Sequence, residues 1–159
     1  MPDRDVVLAK VAAIQKCLKR IRDVTGLDPD RLEEPDAQNI FVLNLQRAIQ
    51  STIDLATHVI ASESLGIPDT IRANFALLED AKIITKTLSK KMQSMVGFRN
   101  IAIHDYQVID VDILKAILTR NLKDLEQFYT VILTHFHIAR MSRRAGVRKR
   151  KEVDKKDVG

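Results

Sequence analysis

The sequence predicts an all-α protein, an up-and-down antiparallel bundle of about five helices. Three observations carry this. Apolar residues recur at spacings of three and four over long stretches. No stretch of any length alternates with period two. Five Gly and four Pro in 159 residues leave few turns, which favours long helices over many short strands. Hydrophobic residues make up 45% and charged residues 30%, ordinary for a globular domain, and the length suits one domain with a buried core.

Asp3 to Val24 reads as the first helix, with Val7, Val11, Ile14, Leu18 and Ile21 on one stripe and Lys10, Lys16, Lys19 and Arg20 off it. Gly26 follows as a C-terminal stop, with Pro29 beyond it. Asp28 to Pro35 is a connection. A long second helix runs from about Asp36 to Ser62, burying Phe41, Leu45, Ile49, Ile53, Ala56 and Ile60, and Leu65-Gly66-Ile67-Pro68 closes it. Pro68-Asp69 opens a shorter helix through about Asp80, with Ile71, Phe75 and Leu78 inward. A fourth helix covers roughly Ser89 to His104. Asp110 caps a fifth, reaching about Arg140, with Leu114, Leu118, Leu122, Leu125, Tyr129, Ile132 and Phe136 apolar. Short connections between long amphipathic helices make antiparallel neighbours. The helical domain is therefore expected to occupy 1–140. The basic segment 141–159 has too little apolar surface to order itself.

Charge and cysteine narrow the function classes. Of 26 Lys and Arg and 21 Asp and Glu, eight and three lie from Arg143 onward, leaving 18 of each sign in Met1 to Ser142. The net +5 belongs to the tail, so global basicity is no argument for a nucleic-acid-binding body. Arg143, Arg144, Arg148, Lys149, Arg150 and Lys151 could still add salt-sensitive phosphate affinity, without aromatic residues for stacking. One cysteine, Cys17, excludes an internal disulfide and a Cys-rich zinc site, and its apolar stripe reads as structural burial. The start, Met-Pro-Asp-Arg-Asp, lacks the apolar core of a signal peptide, and no run approaches the ~20 apolar residues of a membrane span. A cytoplasmic protein without membrane contact is the expectation. No cofactor and no metal is called for: there is no His-Glu-x-x-His, and His135 and His137, two apart, do not share a helical face.

The second helix has an unusual polar side. Asn44, Arg47, Ser51, Asp54 and His58 fall within an arc of about 80° at ~100° per residue. Such faces are ordinarily solvated surface, but this one carries Asn, Arg, Ser, Asp and His in place of Lys and Glu. Asp54 and His58, four apart, are within reach of each other, so the carboxylate could orient the imidazole. Asn44, Arg47, Asp54 and His58 are therefore candidate supporting or substrate-binding residues.

The most informative run is Gly97-Phe98-Arg99-Asn100-Ile101-Ala102-Ile103-His104-Asp105-Tyr106. An Arg and a His five apart mean little alone, but Arg-Asn-x-Ala-x-His-Asp-Tyr is specific. It resembles the Arg-x4-His-x-Tyr signature of HepT-like proteins, the HEPN-domain toxins of bacterial toxin–antitoxin pairs. Phe41-Val42-Leu43-Asn44-Leu45-Gln46-Arg47, Ile53-Asp54-Leu55-Ala56-Thr57-His58, Leu65-Gly66-Ile67-Pro68, Leu78 and Met95-Val96-Gly97-Phe98-Arg99-Asn100 are similar to that family in the same order. The resemblance spans roughly Asp5 to Thr134; the basic tail departs from it. It implies a helical RNA endonuclease that forms a homodimer, with motif residues of two chains meeting in a cleft. It also implies a minimal nucleotidyltransferase antitoxin that adds AMP to the motif tyrosine, here Tyr106.

These residue types suit RNA cleavage without a metal. The ribose 2′-hydroxyl must lose a proton as it attacks the adjacent phosphate. Histidine side chains ordinarily titrate near neutrality, so His104 can act as general base or acid, a role worth roughly 10²–10⁴-fold. Arg99 supplies a permanent forked cation for the phosphate oxygens as their charge grows. Asn100, four before His104, can fix the ring or bind phosphate. The expected products carry a 2′,3′-cyclic phosphate and a 5′-hydroxyl, with tRNA among the candidate substrates. On a regular helix Arg99 and His104 lie about 140° apart, whereas Tyr106 falls within about 20° of Arg99. Fraying near Ile103, the long Arg99 stem or a second chain would reconcile this, and the last two together are expected. The alternative function is a non-catalytic helical partner of a nucleotidyltransferase.

Overall fold

A computed structural model describes residues 1–104, of residue 104 only the backbone, and 109–139. All regular structure among these residues is helical. The first helix, α1 (Arg4–Thr25), starts where the Asp3 carboxylate accepts the Asp5 and Val6 N–H groups. It stops at Gly26, whose left-handed φ of 60° turns its N–H back to Arg22 O at 2.8 Å. A 3₁₀ turn (Pro29–Glu33) occupies the expected connection and buries Leu32. Helix α2 (Pro35–Ser62) begins with proline in its first turn, where no N–H is needed, and buries the whole expected arc from Phe41 to Ile60.

Helices α1 and α2 form the antiparallel hairpin on which the rest packs. The Met1 ammonium meets Glu63, the Asp3 N–H meets His58, and Lys10 meets Asp54, so one chain runs up as the other runs down. Helix α3 (Ala73–Asp80) is shorter than expected. Asp69 to Arg72 bend and turn without joining the helix: the Thr70 hydroxyl accepts the Ala73 N–H, and Arg72, at the N-cap position, supplies no side-chain cap. Ile71 thus lies outside the helix, 37% exposed, whereas Phe75 and Leu78 are buried as expected.

Helix α4 (Lys86–His104) begins a turn earlier than the pattern indicated, with the Thr85 hydroxyl accepting the Leu88 N–H. It remains helical through Ile103, so fraying there is not how the site forms. The fifth expected helix starts at the Asp110 cap, and all seven apolar positions from Leu114 to Phe136 are buried. It is interrupted, however: α5 (Val111–Ala116) passes through a π turn (Ile117–Asn121) into α6 (Leu122–His135). Helix α6 lies antiparallel to α1, with Arg22 bonded to Glu126 and Arg4 to Ala139 O. Phe75 of α3 and Phe128 of α6 meet edge to face, centroids 5.5 Å apart, in the core. The buried Asp124 is met by Asn121 and by Lys91 of α4. No helix among the described residues is long and apolar enough to cross a membrane. The boundary at 140 and the tail lie outside the described residues.

Candidate functional site

Arg99 leaves α4 toward α2. Its Nη2 donates to Gln50 Oε1 at 2.7 Å and its Nη1 to Asn100 Oδ1 at 3.2 Å. Gln50 is itself fixed, because its Nε2 donates to Asp54 Oδ1 at 2.9 Å. The other oxygen of Asp54 accepts from Lys10 Nζ at 3.3 Å. A polar chain thus crosses three helices, Lys10 on α1, Asp54 and Gln50 on α2, Arg99 on α4.

The chemistry of this chain lies in the order of its charges. Two neutral amide oxygens hold the guanidinium in place without cancelling it, and among the described residues no carboxylate pairs with Arg99. The only carboxylate of the chain stands one residue back and is met by Lys10. Half-buried Arg99 is thereby a positioned cation with charge left for an incoming anion.

Asn100 partners Arg99 here, so its side chain orients the guanidinium. The α2 polar face turns toward α1. Asn44, 8% exposed, donates to Ile40 O within its own helix. Arg47 and Ser51 line a groove of about 750 Å³ between α1 and α2. The expected pairing of Asp54 with His58 is corrected by the structure: Asp54 is taken by Lys10 and Gln50, and His58 Nε2 accepts the Asp3 backbone N–H at 3.1 Å. Partners across the hairpin prevail over the one four residues away. His58 therefore ties down the start of α1, and the structure does not bring it to Arg99.

Gln50 is the residue that the sequence reading missed. It lies about 40° beyond Asp54 at the edge of the polar arc, and only the packing of α4 on α2 gives it a role. The side chain of His104, and Tyr106 entirely, lie outside the described residues. A second hollow, about 730 Å³ between α4, α5 and the turn before α3, is lined by Arg72, Gly97, Phe98 and Ile101 but not by Arg99. The Arg72 guanidinium lies over Gly97, where a Cβ would come within 2.5 Å of Arg72 Nη2 and would be accommodated by a shift of that flexible side chain. His135 and His137 are exposed, and no group of three or more His, Cys, Asp and Glu among the described residues is arranged to hold a metal ion.

Comparison with known proteins bears on this arrangement. The family model described as "Ribonuclease HepT-like" matches residues 14–132. The chain is 41% identical over 128 residues to the mRNA nuclease HepT of Shewanella oneidensis, covering 80% of this chain and 96% of that protein. It superposes with a TM-score of 0.78 on the crystal structure of a toxin–antitoxin with AMP-PNP, at 40% identity over 82% of this chain and 98% of that one. A tri-AMPylated Shewanella oneidensis HEPN toxin in complex with MNT antitoxin gives 0.77, with the same identity and coverage. YutE of Bacillus subtilis, a cytosolic protein of unknown function, shares the fold alone, at 14% identity and a TM-score of 0.73 over 84% of this chain and 90% of that one.

Proposed function

The chain belongs to the HepT-like ribonuclease family, and from that premise we propose that it is a metal-independent RNA endonuclease, the toxin of a toxin–antitoxin pair. The observation that carries the reading is the guanidinium of Arg99, fixed by Gln50 and Asn100 through neutral oxygens, with its charge unspent. His104 takes the proton from the ribose 2′-hydroxyl or gives one to the departing 5′-oxygen. Arg99 binds the phosphate oxygens, whose negative charge grows in the transition state. Attack of the 2′-oxygen on phosphorus breaks the bond to the 5′-oxygen, leaving a 2′,3′-cyclic phosphate and a 5′-hydroxyl. The relative's name specifies mRNA, so mRNA is the first substrate class to test, beside tRNA.

The working unit in this proposal is a homodimer. Ile101, Ile103 and Ile113 are each more than half exposed on the C-terminal half of α4 and on α5. Covering them with a second copy would remove apolar surface from water next to Arg99 and bring two motifs together. A nucleotidyltransferase antitoxin silences the toxin by placing AMP on Tyr106, adding negative charge beside the cationic motif.

The test is cleavage of a defined RNA by purified protein in EDTA, with analysis of the product ends. Cyclic phosphate termini from the wild type, and their loss in His104→Ala, are expected. Undiminished cleavage by that variant would remove the proposed base. No cleavage by any form, with nucleotidyltransferase binding intact, would leave a non-catalytic partner.

A further inference from the structure

The α1–α2 groove has a charge pattern that the cleavage chemistry does not use. Lys16, Lys19 and Arg20 come from successive turns of α1, and Arg47 faces them from α2. The only carboxylate lining the groove, Asp23, is engaged by Lys19 at 2.9 Å. Arg47, Lys16 and Arg20 have no carboxylate partner among the described ion pairs. Cys17 adds no negative charge to the floor: burial pushes its thiol above the ordinary value, outweighing the opposing pull of Arg47 and Lys16. The body carries equal numbers of acidic and basic side chains, so this concentration of cations is local.

Arg99 and Gln50 do not line the groove, but α2 links it to them. Ser51 lines the groove and directly follows Gln50, the anchor of the guanidinium, while Arg47 stands one turn before Gln50 on α2. Asn44 keeps its carbonyl oxygen beyond the bond to Ile40, and Ser51 offers a hydroxyl, both suited to ribose hydroxyls. No aromatic side chain lines the groove, and Leu43 is its one well-exposed apolar side chain, 45% accessible. A protein partner would need a larger apolar centre, and base stacking would need aromatic faces. A sugar–phosphate backbone needs neither.

We infer that the groove between α1 and α2, with Lys16, Arg20 and Arg47 as its cations, is the track that holds the RNA backbone flanking the phosphate at Arg99. The inference rests on the nuclease reading and deepens it, since contacts of this kind bind RNA with little regard to sequence. Lys19, already paired, contributes least.

The experiment measures binding of a short fluorescein-labelled 2′-O-methyl RNA, which lacks the attacking hydroxyl, to the full chain by fluorescence anisotropy between about 50 and 200 mM salt. Arg20→Ala/Arg47→Ala is compared with Lys86→Ala/Lys123→Ala, which removes equal charge from exposed positions outside the groove. The groove variant is expected to bind about tenfold more weakly, with a log–log salt slope shallower by about 1.4, the loss of two phosphate contacts on a single strand. The control is expected to bind as the wild type. Thermal melting shows that both variants fold.

Equal effects in the two variants, or none in either, would overturn the track. So would unchanged RNA binding with weakened binding of the nucleotidyltransferase, which would make the groove a protein surface. Cleavage of unmodified RNA by the wild type is assayed alongside. If the wild type cuts and the groove variant binds normally, only the track fails. If the wild type does not cut but binding depends on the groove, the nuclease reading fails and the track stands.

Discussion

Arg99 gains its chemical character from what holds it. Gln50 and Asn100 supply direction through uncharged oxygens, and Asp54, occupied by Lys10, fixes Gln50. Gln50 is thus a positioning residue for the proposed reaction. Gln50→Ala is expected to lower kcat about ten- to a hundredfold with RNA binding largely kept, because a misplaced guanidinium costs transition-state contacts more than ground-state ones. Gln50→Glu keeps the shape but sets a carboxylate against the guanidinium. It is expected to raise KM as well, since the cation is then paired before RNA arrives. Steady-state kinetics of the two variants check this split. Equal kcat in wild type and Gln50→Ala would show that the contact has no part in positioning. The arginine and its neighbour Asn100 were legible in the sequence because they sit in a dense motif. Gln50 was not, because its partner is 49 residues away and appears only when two helices cross.

Helices were legible where a stripe and a local stop agree. The four-and-three spacing of Val7 to Ile21 followed by Gly26 set α1 within a residue at each end. The starts of α3 and α4 were less legible, since α3 has no side-chain cap and α4 is capped by the hydroxyl of Thr85. The π turn at Ile117–Asn121 was not legible: Leu114, Leu118 and Leu122 are spaced by two successive fours, but so are Phe41, Leu45 and Ile49 on the uninterrupted α2. Asp110 caps this element through the Asp112 N–H at 2.9 Å. Asp110→Ala is expected to cost about 1 kcal/mol and lower Tm by about 2–4 °C. An unchanged melting temperature would mean that the cap is replaced by water without loss.

The bundle as a whole explains why the polar face of α2 was only partly readable. Its composition set it apart from a plain Lys and Glu face, but which neighbour each side chain would meet depends on the antiparallel α1. That neighbour gives Asp54 to Lys10 and His58 to the Asp3 backbone, and leaves Arg47 free to line the groove. At the same scale, the exposed Ile101 and Ile113 make oligomeric state a test. Light scattering on a sizing column is expected to give twice the chain mass. Ile101→Asp/Ile113→Asp is expected to give a folded monomer that cleaves RNA at least tenfold more slowly. A wild-type monomer that cleaves at full rate would refute the shared cleft. The most direct measurement of the central claim is single-turnover cleavage of one defined RNA by the wild type and by Arg99→Ala at equal, saturating protein. The reading of Arg99 as the cation at the scissile phosphate requires a loss of about a hundredfold or more, with the fold unchanged. Cleavage by Arg99→Ala at the wild-type rate would contradict it.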